Sequence, residues 1–372
     1  MGGFVVKRSG GNDCGDYKHY FSVLSPEDLS VSENVELPFD KNELVDGGSC
    51  GDLVHFYGDK GKIVIYNFET YECVVFPPPE VFNPIYLGEM IACGVGSVGK
   101  GPDYKVIRIY QQIHLNEGEV DEEVSCLAAN TDYFDMYSMP CGSLKEITRP
   151  TLRCSVLWGT YVYVEKMGTG SGICCWIGVL YGDSPANMLS HVLSFDFSTE
   201  SFDQFPLPTT ALTNTGKGAA HVELVGCRGS LGALVFWRPF DEFSITSPPA
   251  FSSELSIQLF VRRGMSWDLL YFVSLADVER PLSLKDDRLL FLEAKPSGGL
   301  CQLMVYDLAN KTLKKLDIYD APGIMSCISY GRNSGKAKKS GKKGKGKGKG
   351  KGKGKKRPGN VPGESSQQHC TS

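Results

Sequence analysis

Gly94-Val95-Gly96-Ser97-Val98-Gly99-Lys100-Gly101 comes nearest to a chemical motif in this chain. It satisfies G-x-G-x-x-G and stops one residue short of a phosphate loop, which needs Ser or Thr at position 101 to ligate magnesium. Both motifs also need a helix to begin there, so that its free N–H groups face the phosphates. Here Pro102-Asp103 leads into Tyr104-Lys105-Val106-Ile107-Arg108-Ile109, which reads as a strand. The glycines therefore read as a flexible turn between two strands.

The remaining reactive residue types are scattered. The six histidines (19, 55, 114, 191, 221 and 369) show no pair at metal-ligand spacing, and His55 and His191 lie in strand-like runs, where a packed or edge histidine is the ordinary case. The 13 cysteines contain no C-x-x-C pair, and Cys174-Cys175 beside Trp176 read as two packed thiols. An odd cysteine count and no leader after Met1 point to a reducing compartment, the cytoplasm or the nucleus. Gly168-Thr169-Gly170-Ser171-Gly172 reads as a loop rather than a nucleophile elbow, and Asp121, Glu122 and Glu123 as a solvated acidic loop. No apolar stretch approaches the roughly 18 residues that span a bilayer. The residue types predict a non-enzymatic chain with no cofactor, no metal and no membrane span.

The elements that hold these residues are repeated β-hairpins. Ile63–Pro77, Val192–Pro206 and Leu303–Leu316 each place an apolar run and an aromatic beside Asp or Asn, then a polar turn, then a second apolar run. Five hairpin-bearing blocks follow one another, marked by Tyr66, Tyr137, Phe195, Phe260 and Tyr306. Their spacing mostly exceeds the roughly 50 residues of a kelch-like blade, which predicts a β-propeller with inserted loops. The two insertions singled out are Asn116–Glu123 and Phe243–Ser253. Their residues Asn116, Glu117, Glu119, Asp121, Glu122 and Glu123, with Asp241, Glu242 and Phe243, are the candidate protein contacts, because loops on a rigid scaffold carry specificity. The predicted division is a flexible lead-in over 1–18, an all-β propeller-like domain over 19–330, and a disordered Lys/Gly-rich tail over 331–372.

Charge divides the chain in the same place. Thirteen of the 39 Lys and Arg lie between Lys336 and Arg357, and Glu364 is the tail's one acid. Residues 1–335 thus carry 26 basic against 42 acidic residues, a net of −16. Such a body disfavours nucleic acid, leaves that partner to the tail alone, and suits a basic protein target.

The ordered motifs resemble the F-box-associated domain of plant F-box proteins, closest to the S-locus and S-haplotype-specific F-box group. His19-Tyr20-Phe21-Ser22-Val23-Leu24 is similar to that group's opening segment, and Ser49-Cys50-Gly51-Asp52-Leu53-Val54 to its G-x-C-N-G-L-V signature, with Asp52 and Gly51 displaced from the usual Asn-Gly. Tyr66-Asn67-Phe68-Glu69-Thr70 with Pro77-Pro78-Pro79 resembles its W-N-P-x-T … L-P-P step. Asp103-Tyr104-Lys105-Val106-Ile107-Arg108 resembles the D-D-Y-K-V-V-R core, and Leu193-Ser194-Phe195-Asp196, Ser266-Trp267 and Glu279-Arg280-Pro281-Leu282 continue the order. The departures are Tyr66 and Leu144 where the family often has Trp, the Lys/Gly tail, and the missing F-box, of which Ser25-Pro26-Glu27-Asp28-Leu29 is a faint echo. The resemblance implies a kelch-like propeller that reads a protein substrate for an SCF-type ubiquitin ligase, in the self-incompatibility group a secreted ribonuclease of the style. It implies contact with the Skp adaptor and cullin only where an F-box is supplied from elsewhere. The alternative is an F-box-less remnant that binds proteins without recruiting a ligase.

Overall fold

The computed structural model describes residues 3–11, 17–39, 45–58, 61–68, 70–76, 88–97, 104–112, 131–138, 143–147, 154–165, 172–180, 191–208, 219–238, 254–295, 299–320 and 326–330. Among them the regular structure is all β: six four-stranded antiparallel sheets, the blades of a six-bladed propeller. Blade one takes β1 (Gly3–Gly11), β2 (Tyr17–Leu24) and β3 (Val31–Glu36). Blade two is β4 (Val45–Cys50), β5 (Leu53–Gly58), β6 (Ile63–Asn67) and β7 (Glu72–Phe76). Blade three is β8 (Gly88–Ser97), β9 (Tyr104–Gln112), β10 (Thr131–Ser138) and β11 (Ser143–Glu146). Blade four is β12 (Cys154–Glu165), β13 (Gly172–Leu180), β14 (His191–Asp196) and β15 (Ser201–Pro206). Blade five is β16 (Ala219–Cys227), β17 (Ser230–Arg238), β18 (Glu254–Arg263) and β19 (Ser266–Ala276). Blade six is β20 (Val278–Lys285), β21 (Leu289–Ala294), β22 (Cys301–Asp307) and β23 (Thr312–Asp320). The last strand, β24 (Ser326–Tyr330), returns to blade one and pairs with β1, giving the order β24-β1-β2-β3.

The first strand of each blade touches the first strands of its neighbours, so β24, β4, β8, β12, β16 and β20 surround the axis. β12, irregular between Val156 and Tyr161, also reaches across to β4. The core is a ring of six apolar clusters, one in each seam between blades. Middle strands are covered on both faces, which is why they read as unbroken apolar runs such as Cys174-Cys175-Trp176-Ile177 and Leu290-Phe291-Leu292, all buried. Outer strands keep one wet face, and along β23 only Leu316, Ile318 and Asp320 are buried, at every second position.

The three hairpin copies are the outer pairs β6–β7, β14–β15 and β22–β23. Their turns share one construction. The Asx side chain accepts backbone N–H groups ahead of it: Thr70 N to Asn67 Oδ1 at 3.3 Å, Ser198 N to Asp196 Oδ1 at 2.9 Å, and Ala309 N to Asp307 Oδ1 at 2.9 Å. The next residue, Phe68, Phe197 or Leu308, donates its N–H to the carbonyl of Asp52, Gly172 or Arg288 beside the blade's second strand. Tyr71, Glu200 and Lys311 then turn the corner at φ of 59°, 51° and 55°.

Three expectations are corrected. Residues 3–11 of the supposed lead-in form β1, whose Phe4, Val5 and Val6 are buried in the seams to blades six and two. There are six blades rather than five blocks, because the segments at 17–24 and 31–36 complete a sheet with β1 and β24. Gly94 and Gly96 lie within β8, not in a turn: a Cβ on Gly94 would meet Trp176 at 2.7 Å, and one on Gly96 would meet the Phe197 ring at 2.0 Å. They are glycines because blade four packs directly on that strand. Residues 331–372 lie outside the described residues.

Candidate protein-binding face

Antiparallel order decides at which end of the ring each connection falls. Connections from second to third strand, and from a fourth strand to the next blade, share one end; the others share the opposite end. At the opposite end no connection between paired strands exceeds six residues, and 51–52, 228–229 and 264–265 are two-residue turns. At the first end, by contrast, residues 77–87, 113–130, 181–190, 207–218 and 239–253 are all connections of ten residues or more. Long connections are thus concentrated on one face.

The candidate contacts belong to two of these connections. Asn116, Glu117, Glu119, Asp121, Glu122 and Glu123 fall in 113–130, and Asp241, Glu242 and Phe243 in 239–253, both outside the described residues. Their anchors are described: Gln112 pairs with Thr131 across β9–β10, and Arg238 and Glu254 end β17 and begin β18. Both segments therefore spring from the same end of the ring, from blades three and five.

A set of charges that no local motif announced lies at this end, where blades six, one and two converge. Lys7 on β1 is 7% exposed, and its Nζ donates to the Val45 carbonyl at 2.5 Å. Burial pushes its amine below the ordinary lysine value, opposed by Asp46 and Asp320. Burial likewise raises Asp46, opposed by Lys7, while Gly47 N donates to its Oδ1 at 2.7 Å. Arg280 Nε donates to Oε2 of the fully buried Glu293 at 2.6 Å. These five residues are spread from β1 to β23, so only a lone Lys after the apolar Phe4-Val5-Val6 hinted at them. Cations and carboxylates offset one another at the junction where β1 and β24 pair.

The D-Y-K-V-I-R segment is similarly a construction element. Arg108 holds Asp135 with two parallel bonds, Nε to Oδ1 at 2.7 Å and Nη2 to Oδ2 at 2.8 Å, both residues being buried. Burial pulls Arg108 down, but its bonds to Asp135 together with the charges of Tyr110, Asp135 and Cys93 hold it above its ordinary value. Lys105 pairs with Glu200 of blade four, and Lys145 joins the same carboxylate at 2.6 Å. These bonds, that of Lys105 first, hold Glu200 below the usual carboxylate range.

His55, Cys174 and Cys175 sit in the packing, whereas His114, His369, Asp121, Glu122 and Glu123 lie outside the described residues. His55 is fully buried on β5 and pushed down to about 3 by burial, so its ring is neutral near pH 7. Cys174 and Cys175 are buried, and burial pushes the Cys175 thiol up to about 12. Among the described residues no group of three or more His, Cys, Asp or Glu is placed to hold a metal ion, and no helix is long and apolar enough to cross a membrane.

No family model matches this chain, and no curated protein matches it in sequence. Among solved structures it is similar to TolB from Acinetobacter baumannii, at 9% identity and a TM-score of 0.43 over 88% of this chain and 67% of that one. It is similar to a mutant Aleuria aurantia lectin in complex with alpha-methyl-L-fucoside, at 10% identity and 0.41, over 86% and 96%. It is also similar to the Cps50 (Swd1) beta-propeller domain of Myceliophteria thermophila, at 9% identity and 0.36, over 85% and 86%. These likenesses carry no ligand, substrate or partner across.

Proposed function

We propose that this chain is a non-catalytic protein-recognition module that grips its target with the end of the propeller carrying the long connections. The observation that carries this reading is the one-sidedness of the connections: a ring packed in every seam, with tight turns at one end and five long segments at the other. The acidic body favours a basic target, drawn in by electrostatic steering.

The finer reading is a substrate receptor of the F-box-associated kind, with Skp adaptor and cullin engaged through an F-box supplied from elsewhere. It is supported by the placement of the D-Y-K-V-I-R motif, whose Lys105 ties blade three to blade four and whose Arg108 ties β9 to β10. The test places a photo-crosslinking side chain at Glu119, at Phe243 and, as a control at the opposite end, at Met265, which is 85% exposed. One discrete basic protein crosslinked at the first two positions and not at the third is expected. Equal capture at all three, or capture at Met265 alone, contradicts the proposal.

A further inference from the structure

The last strand of an open sheet needs protection, because its unpaired N–H and C=O groups invite another chain. Five of the six outermost strands are protected in ordinary ways. β3 exposes Glu33 and Glu36, β7 and β11 are five and four residues long, β15 carries Asp203 and Pro206, and β23 exposes Lys314, Lys315 and Asp317. β19 is the exception. It ends its sheet, is the longest of the six at 11 residues, and has one charged side chain, Asp268, near its start.

The middle of β19 is apolar and wet: Leu269 is 52% exposed and Phe272 61%. Three positions apart, the two would point to opposite faces of a regular strand. A bulge prevents this. Phe260 pairs with Leu269 and Leu259 with Tyr271, so Leu270 is the extra residue. Leu269 and Phe272 thus stand opposite Phe260 and Gln258, two apart on β18, and share the face toward blade four. At one end of that face Arg262, the register partner of Trp267, lies over the Phe205 ring at 3.2 Å. At the other end Glu254 accepts from Ser274 Oγ at 2.9 Å.

We propose that this edge pairs with the β19 edge of a second copy of this chain, antiparallel about a two-fold axis between Leu270 and Tyr271. A two-fold contact requires a patch that complements itself, and this one does. The axis sets Leu269 and Phe272 of one copy against Phe272 and Leu269 of the other. It also sets Trp267, beside Arg262, opposite Ser274, which holds Glu254, so basic and acidic ends meet twice. The two blades then join into one eight-stranded sheet through backbone hydrogen bonds. A strand of 11 residues is about 37 Å long, a small contact, so the dissociation constant is expected on the order of 10 μM. The edge lies on the rim of the ring and does not depend on the reading of the loop-bearing end.

The test is sedimentation equilibrium of the full chain from about 1 to about 200 μM, where a monomer–dimer equilibrium is expected. Leu269→Lys with Phe272→Lys gives β19 the protection that β23 already has, and should stay monomeric throughout at an unchanged melting temperature. Phe272→Thr, a milder change that suits a strand, should weaken the dimer about tenfold. Glu254→Lys, which brings two basic ends together, should weaken it as well. Val75→Lys, at an exposed position on β7, should leave it unchanged. A parent that is monomeric throughout, a dimer that survives both lysines in a folded variant, or equal loss with Val75→Lys overturns the proposal. Should the double variant fail to fold, undiminished association of Phe272→Thr overturns it.

Discussion

At the scale of single residues, His55 and the Arg108–Asp135 pair carry consequences that can be measured. His55 is protonated with a value of about 6.5 in an unfolded chain and about 3 in the fold. Its neutral form is the folded form, so this contribution to stability is full above about pH 6.5 and drains away as pH falls toward about 3. Thermal unfolding should show the parent melting at progressively lower temperature across that window. His55→Phe should stay flatter until carboxylates begin to titrate near about pH 4.5. For the buried pair, Asp135→Ala leaves the guanidinium uncompensated and should cost about 3–5 kcal/mol in denaturant unfolding, whereas Arg108→Met with Asp135→Leu should cost less than that single change. The sequence made Arg108 conspicuous through its motif. Its partner, 27 residues away across a hairpin, carried no such mark. The charges around Lys7 were less legible still, because burial and pairing are properties of the closed ring rather than of any segment.

At the scale of elements, what could be read was what is local. The outer hairpins announced themselves because each Asx-capped turn is closed by residues within a few positions of it. The five aromatic markers Tyr66, Tyr137, Phe195, Phe260 and Tyr306 all fall on third strands of their blades. β1 was missed because its three-residue apolar run sits among glycines and its inner partner, β24, lies more than 300 residues away. β8 was misread for a related reason: its glycines look like a turn until Trp176 and Phe197 of the next blade are set against them. Gly96→Ala tests that account directly. Its methyl would enter the space of the Phe197 ring, and the variant should lose about 1–3 kcal/mol of stability or more by chemical denaturation. A glycine that merely loosened a turn would tolerate alanine with almost no loss.

At the scale of the whole molecule, the ring is closed by both ends of the described chain. β24 supplies the innermost strand of blade one and β1 the second, so Gly3–Gly11 cannot be dispensable. Deleting residues 1–11 should abolish the cooperative thermal transition, because β24 and β2 lose their common partner and the Phe4 and Val5 seams open. The same closure makes the two ends of the ring unequal in use. One end is pinned by short turns, and the other is free to vary through its long connections while the seams hold the frame. The acidic composition and the insertions were visible in the sequence, but that both singled-out segments spring from one end follows only from strand order. The most direct measurement of the central claim is the dissociation constant of the protein crosslinked at Glu119 and Phe243, for the parent and for a variant with short Gly/Ser linkers in place of 113–130 and 239–253. Recognition by the loop-bearing end predicts binding weakened by about a hundredfold or more at an unchanged melting temperature. An unchanged dissociation constant in a folded variant would contradict it.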